Sequence, residues 1–305
     1  MNSYKSLNLK PVIIIAGPTA SGKTELSHHF AKNLGGEIIS CDSRQIFRFM
    51  DIGTAKPPKF YRQELPYHLI DIVNPNEPFT VAHFVQEAES RISEIQERGK
   101  TPFVVGGCGL YIKRLISGLF PSPMPDMNLR ERLAKEEGLY DKLIKIDPDS
   151  AKKISPSDKK RIIRALEVFY QTGKPISLLQ KEKTPKPKFR FVMIALKIER
   201  DLLYKRINER VDKMIEEGWI DETKRLMEMG YEYGLCSMEG LGYRQIMDYL
   251  SEKTGLSEAI SIIKRKTRQF AKRQLTWFSQ DKRFTHLLPS ETKNFLHHNF
   301  QVSSS

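Results

Sequence analysis

An α/β fold, a parallel sheet flanked by helices with one helical insertion domain, follows from three features of this chain. Short apolar runs alternate with helical patterns, a glycine-rich turn sits directly behind the first run, and two proline-rich stretches bracket a basic helical block.

The uninterrupted run Val12-Ile13-Ile14-Ile15 predicts a strand buried on both faces. Behind it, Gly17-Pro18-Thr19-Ala20-Ser21-Gly22-Lys23-Thr24 fits the phosphate-loop pattern G-x-x-x-x-G-K-[ST], which makes the expected sheet P-loop NTPase-like. Glycines let backbone N–H groups curl around phosphate oxygens, Lys23 neutralises the far phosphate, and the Thr24 hydroxyl ligates Mg²⁺. A helix starting near Lys23 adds its positive dipole end. Residues 17 to 24 are therefore expected to bind a diphosphate or a nucleotide such as ATP.

Glu37 to Ser40 predicts a second strand that delivers Cys41-Asp42-Ser43-Arg44-Gln45 to the carboxyl edge of the sheet, where ligands bind in such folds. Asp42 there has three readings: a general base, a hydrogen-bond partner for a substrate amine, or a helix N-cap. His68 to Val73 predicts a third strand, and Phe103 to Val105 a fourth. Between them Val81, Phe84, Val85, Ala88, Ile92 and Ile95 recur at helical spacing. A nucleotide hydrolase should end one strand in an Asp for Mg²⁺. Phe103-Val104-Val105 ends in Gly106-Gly107 instead, and Leu69-Ile70-Asp71 is a short substitute, which argues against ordinary ATP hydrolysis.

The alternation breaks at Leu119 to Pro125. A charged helical block follows as far as Thr184-Pro185-Lys186-Pro187-Lys188, after which Phe191 to Leu196 resumes a strand. The chain thus divides into a core, residues 1–120 plus 191–305, and an insertion, 121–190, read as a lid or clamp on proline hinges. The remainder is helical and ends in a basic helix, Ile263 to Phe278. Ile263, Phe270 and Trp277 recur there every seven residues, while Arg265, Arg268 and Lys272 occupy another face.

The net charge of +13 is unevenly placed. Residues 120–190 carry 17 Lys/Arg against 10 Asp/Glu, and residues 261–283 carry 8 against 1, while the rest of the chain is nearly balanced. Two basic segments outside the phosphate-loop core are the footprint of a polyanion larger than one nucleotide. No apolar run approaches the roughly 20 residues that span a bilayer, and no signal-peptide pattern opens the chain, so a cytoplasmic protein without membrane contact is expected. Cys41, Cys108 and Cys236 lack C-x-x-C pairing and read as reduced thiols.

Asp42-Ser43-Arg44-Gln45-Ile46-Phe47 continues into Met50-Asp51-Ile52-Gly53-Thr54-Ala55-Lys56-Pro57. With the phosphate loop, His68 to Asp71, Val105 to Tyr111, Arg161 to Glu167, Gly242-Tyr243-Arg244-Gln245 and Arg268 to Trp277, the chain closely resembles tRNA dimethylallyltransferases from about Pro11 to Phe278. The resemblance implies transfer of a dimethylallyl group from dimethylallyl diphosphate to N6 of the tRNA adenine 3′-adjacent to the anticodon. The phosphate loop then grips the leaving diphosphate, so no hydrolytic Asp is needed, and Lys23, Arg210 and Mg²⁺ near Thr24 stabilise its charge. It makes Asp42 the group that contacts N6 and takes its proton, with Cys108 beside the adenine. Ser43, Arg44 and Gln45 hold neighbouring nucleotides. Arg130, Lys160, Arg161 and Arg164 of the insertion grip the anticodon stem, and Arg244 approaches from the core. A monomer is expected to enclose one stem-loop. Cys108 stands where the family usually has threonine, and Phe47 and Phe49 replace the commoner Tyr and Gly. A small-molecule or nucleotide kinase is the enzymatic alternative, and a nucleotide-gated RNA-binding protein the non-enzymatic one.

Overall fold

A computed structural model describes residues 9–300. It contains two compact units, Met1–Lys113 with Phe189–Ser305, and Arg114–Lys188. From the N-terminal side β1 (Val12–Ala16), α1 (Lys23–Asn33), β2 (Gly36–Ser40), α2 (Lys59–Glu64), β3 (Tyr67–His68), α3 (Val81–Glu97), β4 (Thr101–Gly106) and α4 (Gly109–Ser117) alternate. The second unit holds α5 (Met127–Lys135), α6 (Leu139–Ile146), α7 (Pro148–Ala151), α8 (Lys159–Thr172) and α9 (Ile176–Lys183). The chain returns through β5 (Phe191–Leu196), α10 (Arg200–Glu216), α11 (Trp219–Glu228), α12 (Tyr243–Leu250), α13 (Leu256–Ser279), β6 (Thr285–Leu287) and α14 (Pro289–Phe300).

All strand pairs in the six-stranded sheet are parallel, in the order β3-β2-β4-β1-β5-β6. Every residue of β1 is fully buried, because helices cover both faces and neighbours flank both edges. Each such Ile or Val contributes about 1.5–3 kcal/mol of burial. The order places the carboxyl ends of β1, β2 and β4 together, so the loops at Gly17, Cys41 and Gly107 converge.

Two expectations need correction. The strand expected over His68 to Val73 is only Tyr67–His68, because Leu69 (φ 61°) and Asp71 (φ 58°) turn the backbone into the left-handed region and end the ladder. Asp71 instead pairs with Lys56 and with Arg62, the latter at 2.9 Å, so its carboxylate is spent on loop structure rather than on a metal. Beyond α13, β6 joins the sheet beside β5 and α14 follows, neither of which the apolar pattern signals.

The second unit has its own core, in which Leu129, Leu133, Leu139, Leu143, Ile162 and Leu166 pack together. Its helices start where the sequence supplies acceptors: Asp126 caps α5 at Leu129 N (3.0 Å), Asp147 caps α7 at Ser150 N (2.9 Å), and Asp158 caps α8 at Arg161 N (3.2 Å).

Candidate active site

The phosphate loop follows buried β1 and opens α1 at Lys23. Gly22 lies at φ 88°, a conformation that favours glycine, and turns the chain into the helix. The loop is closed on itself: Ser21 Oγ donates to the Pro18 carbonyl at 2.8 Å and Lys23 Nζ to the same oxygen at 2.5 Å. It lines a polar chamber of about 410 Å³, together with Asp42, Arg206, Arg210 and Gln274. Burial, reinforced by Arg210 and opposed by Asp42, pushes the Lys23 ammonium down to about 7. Burial also lowers Arg210, again against Asp42. Lys23 and Arg210 line the same chamber and repel each other, and a multiply charged anion between them would relieve both.

Among the described residues no group of three or more His, Cys, Asp or Glu side chains could cage a metal ion. The Thr24 hydroxyl in the chamber therefore suits only a hard cation shared with phosphate oxygens and water, which is how Mg²⁺ usually binds.

The acceptor side is built by pinning the ends of β2 and β4 together. Cys41 N donates to Val105 O at 2.7 Å and Cys108 N to Cys41 O at 3.3 Å. A side chain at Gly106 would meet the Cys41 carbonyl at 2.0 Å, so only glycine permits this approach. No helix starts at Asp42; its Oδ1 instead caps the turn that follows β2, accepting from Arg44 N (2.8 Å) and Gln45 N (3.4 Å). Oδ2 accepts no hydrogen bond from any described residue, and Asp42 lines both the polar chamber and a second, more apolar one of about 520 Å³. Cys108, Ser43, Met214, Trp219 and Trp277 line the second chamber, and Arg210, Phe270 and Gln274 line both. Burial, with the Asp42 charge adding to it and local hydrogen bonds opposing it, pushes the Cys108 thiol up to about 11. A thiol raised that far is protonated near neutral pH, which makes it a weak hydrogen-bond donor there rather than a thiolate.

Other expected contacts are engaged inside the protein. Gln45 spends its whole amide, accepting from Ser40 Oγ at 2.9 Å and donating to Thr54 and Ala55 carbonyls at 3.3 and 3.0 Å, so it braces the loop. Arg44 donates to the Cys236 carbonyl, and Arg244 to Glu239 at 2.6 Å. In the second unit Arg130 grips the fully buried Glu167 in a bidentate pair at 2.9 and 3.0 Å, and Arg164 donates to the same carboxylate. Burial alone would raise the Glu167 carboxyl, but these hydrogen bonds outweigh it and hold it below its usual range. Lys160 and Arg161 are exposed, Arg161 in a loose 3.3 Å pair with Asp158.

Two features escaped the sequence reading. Gln274 of α13 accepts from Thr19 N and donates to Gly107 O, both at 2.9 Å, and so ties the phosphate loop to the loop after β4. Glu222, buried, accepts from Asp51 N and Ile52 N (2.8 Å each), Gly53 N (3.1 Å) and Tyr243 Oη (2.7 Å), which fixes the Asp51 to Gly53 segment beside the second chamber. At a third position, Phe49, where the resemblance implies glycine, the backbone occupies φ 67°, a left-handed conformation that favours glycine. The lone Gly53, where a side chain would meet Trp219 Nε1 at 2.0 Å, is the local mark of the second feature.

The family model described as IPP transferase matches residues 45–281. The chain belongs to the IPP transferase family. Within it, a tRNA dimethylallyltransferase of Carboxydothermus hydrogenoformans is 50% identical over 283 residues, covering 89% of this chain and 90% of the relative. The crystal structure of the full-length tRNA isopentenylpyrophosphate transferase of Bacillus halodurans is 42% identical, with a TM-score of 0.72 over 96% of this chain and 97% of that one. A eukaryotic dimethylallyltransferase captured acting on tRNA is 30% identical, with a TM-score of 0.79 over 96% and 77%.

Proposed function

We propose that this protein transfers the dimethylallyl group of dimethylallyl diphosphate to tRNA, at N6 of the adenine 3′-adjacent to the anticodon, releasing diphosphate. The observation that carries this reading is the meeting of two chambers at Asp42 and Arg210, one polar and cation-lined, the other apolar. A leaving group that is a diphosphate belongs in the first, and a flipped base in the second.

In the reaction the bond from the allylic carbon to the diphosphate oxygen breaks and the bond from that carbon to N6 forms. Lys23, Arg210 and the loop amides take up the charge that develops on the departing diphosphate. The Thr24 hydroxyl would hold Mg²⁺ together with diphosphate oxygens, and the ion supplies further neutralisation of the leaving group. An exocyclic aromatic amine is a poor nucleophile, and Asp42 Oδ2 is positioned to take its proton as attack makes the nitrogen acidic. Cys108 offers its thiol as a weak donor beside the amine. Ser43 and Arg44 flank the adenine, Lys160 and Arg161 meet anticodon-stem phosphates directly with Arg244 approaching from the core, and Arg130 and Arg164 shape the gripping face through Glu167. One chain carries every group named, so a monomer in the cytoplasm suffices.

Incubation with Mg²⁺, dimethylallyl diphosphate and unmodified tRNA should yield prenylated adenine in tRNA digests. Asp42→Asn should lower the single-turnover rate by about 10²–10⁴-fold and leave tRNA affinity within about twofold. ATP turnover without prenylated adenine would establish a kinase instead.

A further inference from the structure

A chain of hydrogen bonds runs from the wall of the polar chamber to the protein surface, and no step of the proposed transfer uses it. Tyr67 of β3 lines the chamber. Its hydroxyl lies 3.0 Å from His28 Nδ1, and His28 Nε2 lies 3.1 Å from Glu64 Oε2. His28 is buried on α1, one turn after Thr24, and its ring stacks flat on Tyr61 with centroids 3.8 Å apart. At the outer end Glu64 meets Lys32 at 2.6 Å.

The direction of each bond follows from its chemistry. Hydrogen bonds from Lys32 and His28 hold the Glu64 carboxyl below its usual range, so it only accepts, and His28 Nε2 carries a hydrogen. In the neutral imidazole Nδ1 is then an acceptor, and the Tyr67 hydroxyl donates to it. Burial pushes the Tyr67 hydroxyl up, so the group stays a phenol. What Tyr67 offers the chamber is therefore an oxygen lone pair.

Two serines lining the same chamber are spent alike. Ser27 Oγ donates to Thr24 O at 3.1 Å, and Ser40 Oγ to Gln45 Oε1 at 2.9 Å. A diphosphate oxygen is itself an acceptor and gains nothing from such a set; its donors are Lys23, Arg210 and the loop amides. The sheet order separates the two groups, because Tyr67 and Ser40 come from β3 and β2, and Arg210 from the helix after β5, on opposite sides of β1. Acceptors that share a chamber with Thr24 suit a partner that presents hydrogens outward, as water bound to a hard cation does.

We propose that Tyr67, oriented by His28 and Glu64, accepts a hydrogen bond from the hydration shell of the Mg²⁺ that Thr24 ligates, with Ser27 and Ser40 beside it. The inference rests on the proposed Mg²⁺-assisted transfer and assigns the outer shell of its ion. Partners of that kind change metal affinity by about tenfold or more.

The probe is inorganic diphosphate, titrated calorimetrically at about pH 8, where an imidazole is ordinarily neutral, first with EDTA and then with saturating Mg²⁺. The ratio of the two affinities measures the coupling between ion and diphosphate. In the wild-type protein Mg²⁺ should tighten diphosphate binding. Tyr67→Phe keeps the ring and removes only the oxygen, so it should cut that tightening about tenfold and leave the affinity in EDTA within about twofold. Ser27→Ala, on a different element, should act in the same direction and tests the site even if Tyr67→Phe fails to fold. Equal weakening with and without Mg²⁺ would make Tyr67 a diphosphate contact or a support of the fold, and an unchanged ratio would make the chain of bonds purely structural; either result overturns the proposal. Wild-type protein in which Mg²⁺ tightens diphosphate but no prenylated adenine forms would overturn the transferase reading instead and leave the outer shell standing.

Discussion

Cys108 stands where the resemblance implies threonine, and its chemistry follows from where it sits. Its thiol is pushed up to about 11 by burial first, with the Asp42 charge adding. At pH 8 the thiolate is then about one part in a thousand, and it grows tenfold per pH unit until the pH approaches 11. Alkylation by iodoacetamide should therefore label exposed Cys236 first at pH 7.5. Labelling of Cys108 should rise about tenfold per unit between pH 8 and 10, read by mass analysis of the two peptides. Cys108 labelled as fast as Cys236 at pH 7 would show a reactive thiolate and remove its role as a neutral donor. Asp42 caps the turn after β2 with Oδ1 and lines both chambers.

At the scale of elements, the sequence made legible whatever depended on local pattern. The apolar runs became β1, β2, β4 and β5, and the periodic residues Phe84, Val85, Ala88, Ile92 and Ile95 became the buried face of α3. What depended on backbone sign or distant partners was not legible. The positive φ at Leu69 ended β3 early, and three residues were too few to announce β6. The seven-residue stripe on α13 marked a face but not what covers it: Ile263 is fully buried, whereas Phe270 and Trp277 open onto a cavity. Gln274 on the same helix was silent because its partners lie 255 and 167 residues away. It ties the phosphate loop to the loop that carries Cys108. Gln274→Met keeps the volume but leaves a buried N–H and C=O unsatisfied, at about 1–3 kcal/mol each. The single-turnover rate should fall by about tenfold or more while RNA affinity stays within about twofold. An unchanged rate in a stable variant would mean that the loops hold their own spacing.

At the scale of the whole molecule, the basic surplus divides into charges that face solvent and charges that hold the fold. Residues 120–190 carry a surplus of seven, yet two of the four arginines and lysines assigned there to RNA are committed to Glu167. That carboxylate is fully buried, and it also accepts Asp126 N at 2.7 Å, so it joins the start of α5 to α8. Removing Arg130 leaves a buried charge short of its bidentate partner, a loss of about 3 kcal/mol. Lys160 and Arg161, exposed at the start of α8, have no comparable structural duty. Substituting both with alanine should lower the slope of log affinity against log salt by about two, one for each phosphate no longer neutralised, with the denaturation midpoint unchanged. Arg130→Ala should do the reverse, lowering the midpoint in urea while the salt slope of the folded protein moves by less than one. Salt titrations of tRNA binding paired with urea unfolding separate the two classes. If Arg130→Ala shortened the slope and left stability untouched, the arginine would be an RNA-binding group that Glu167 merely parks in the free protein.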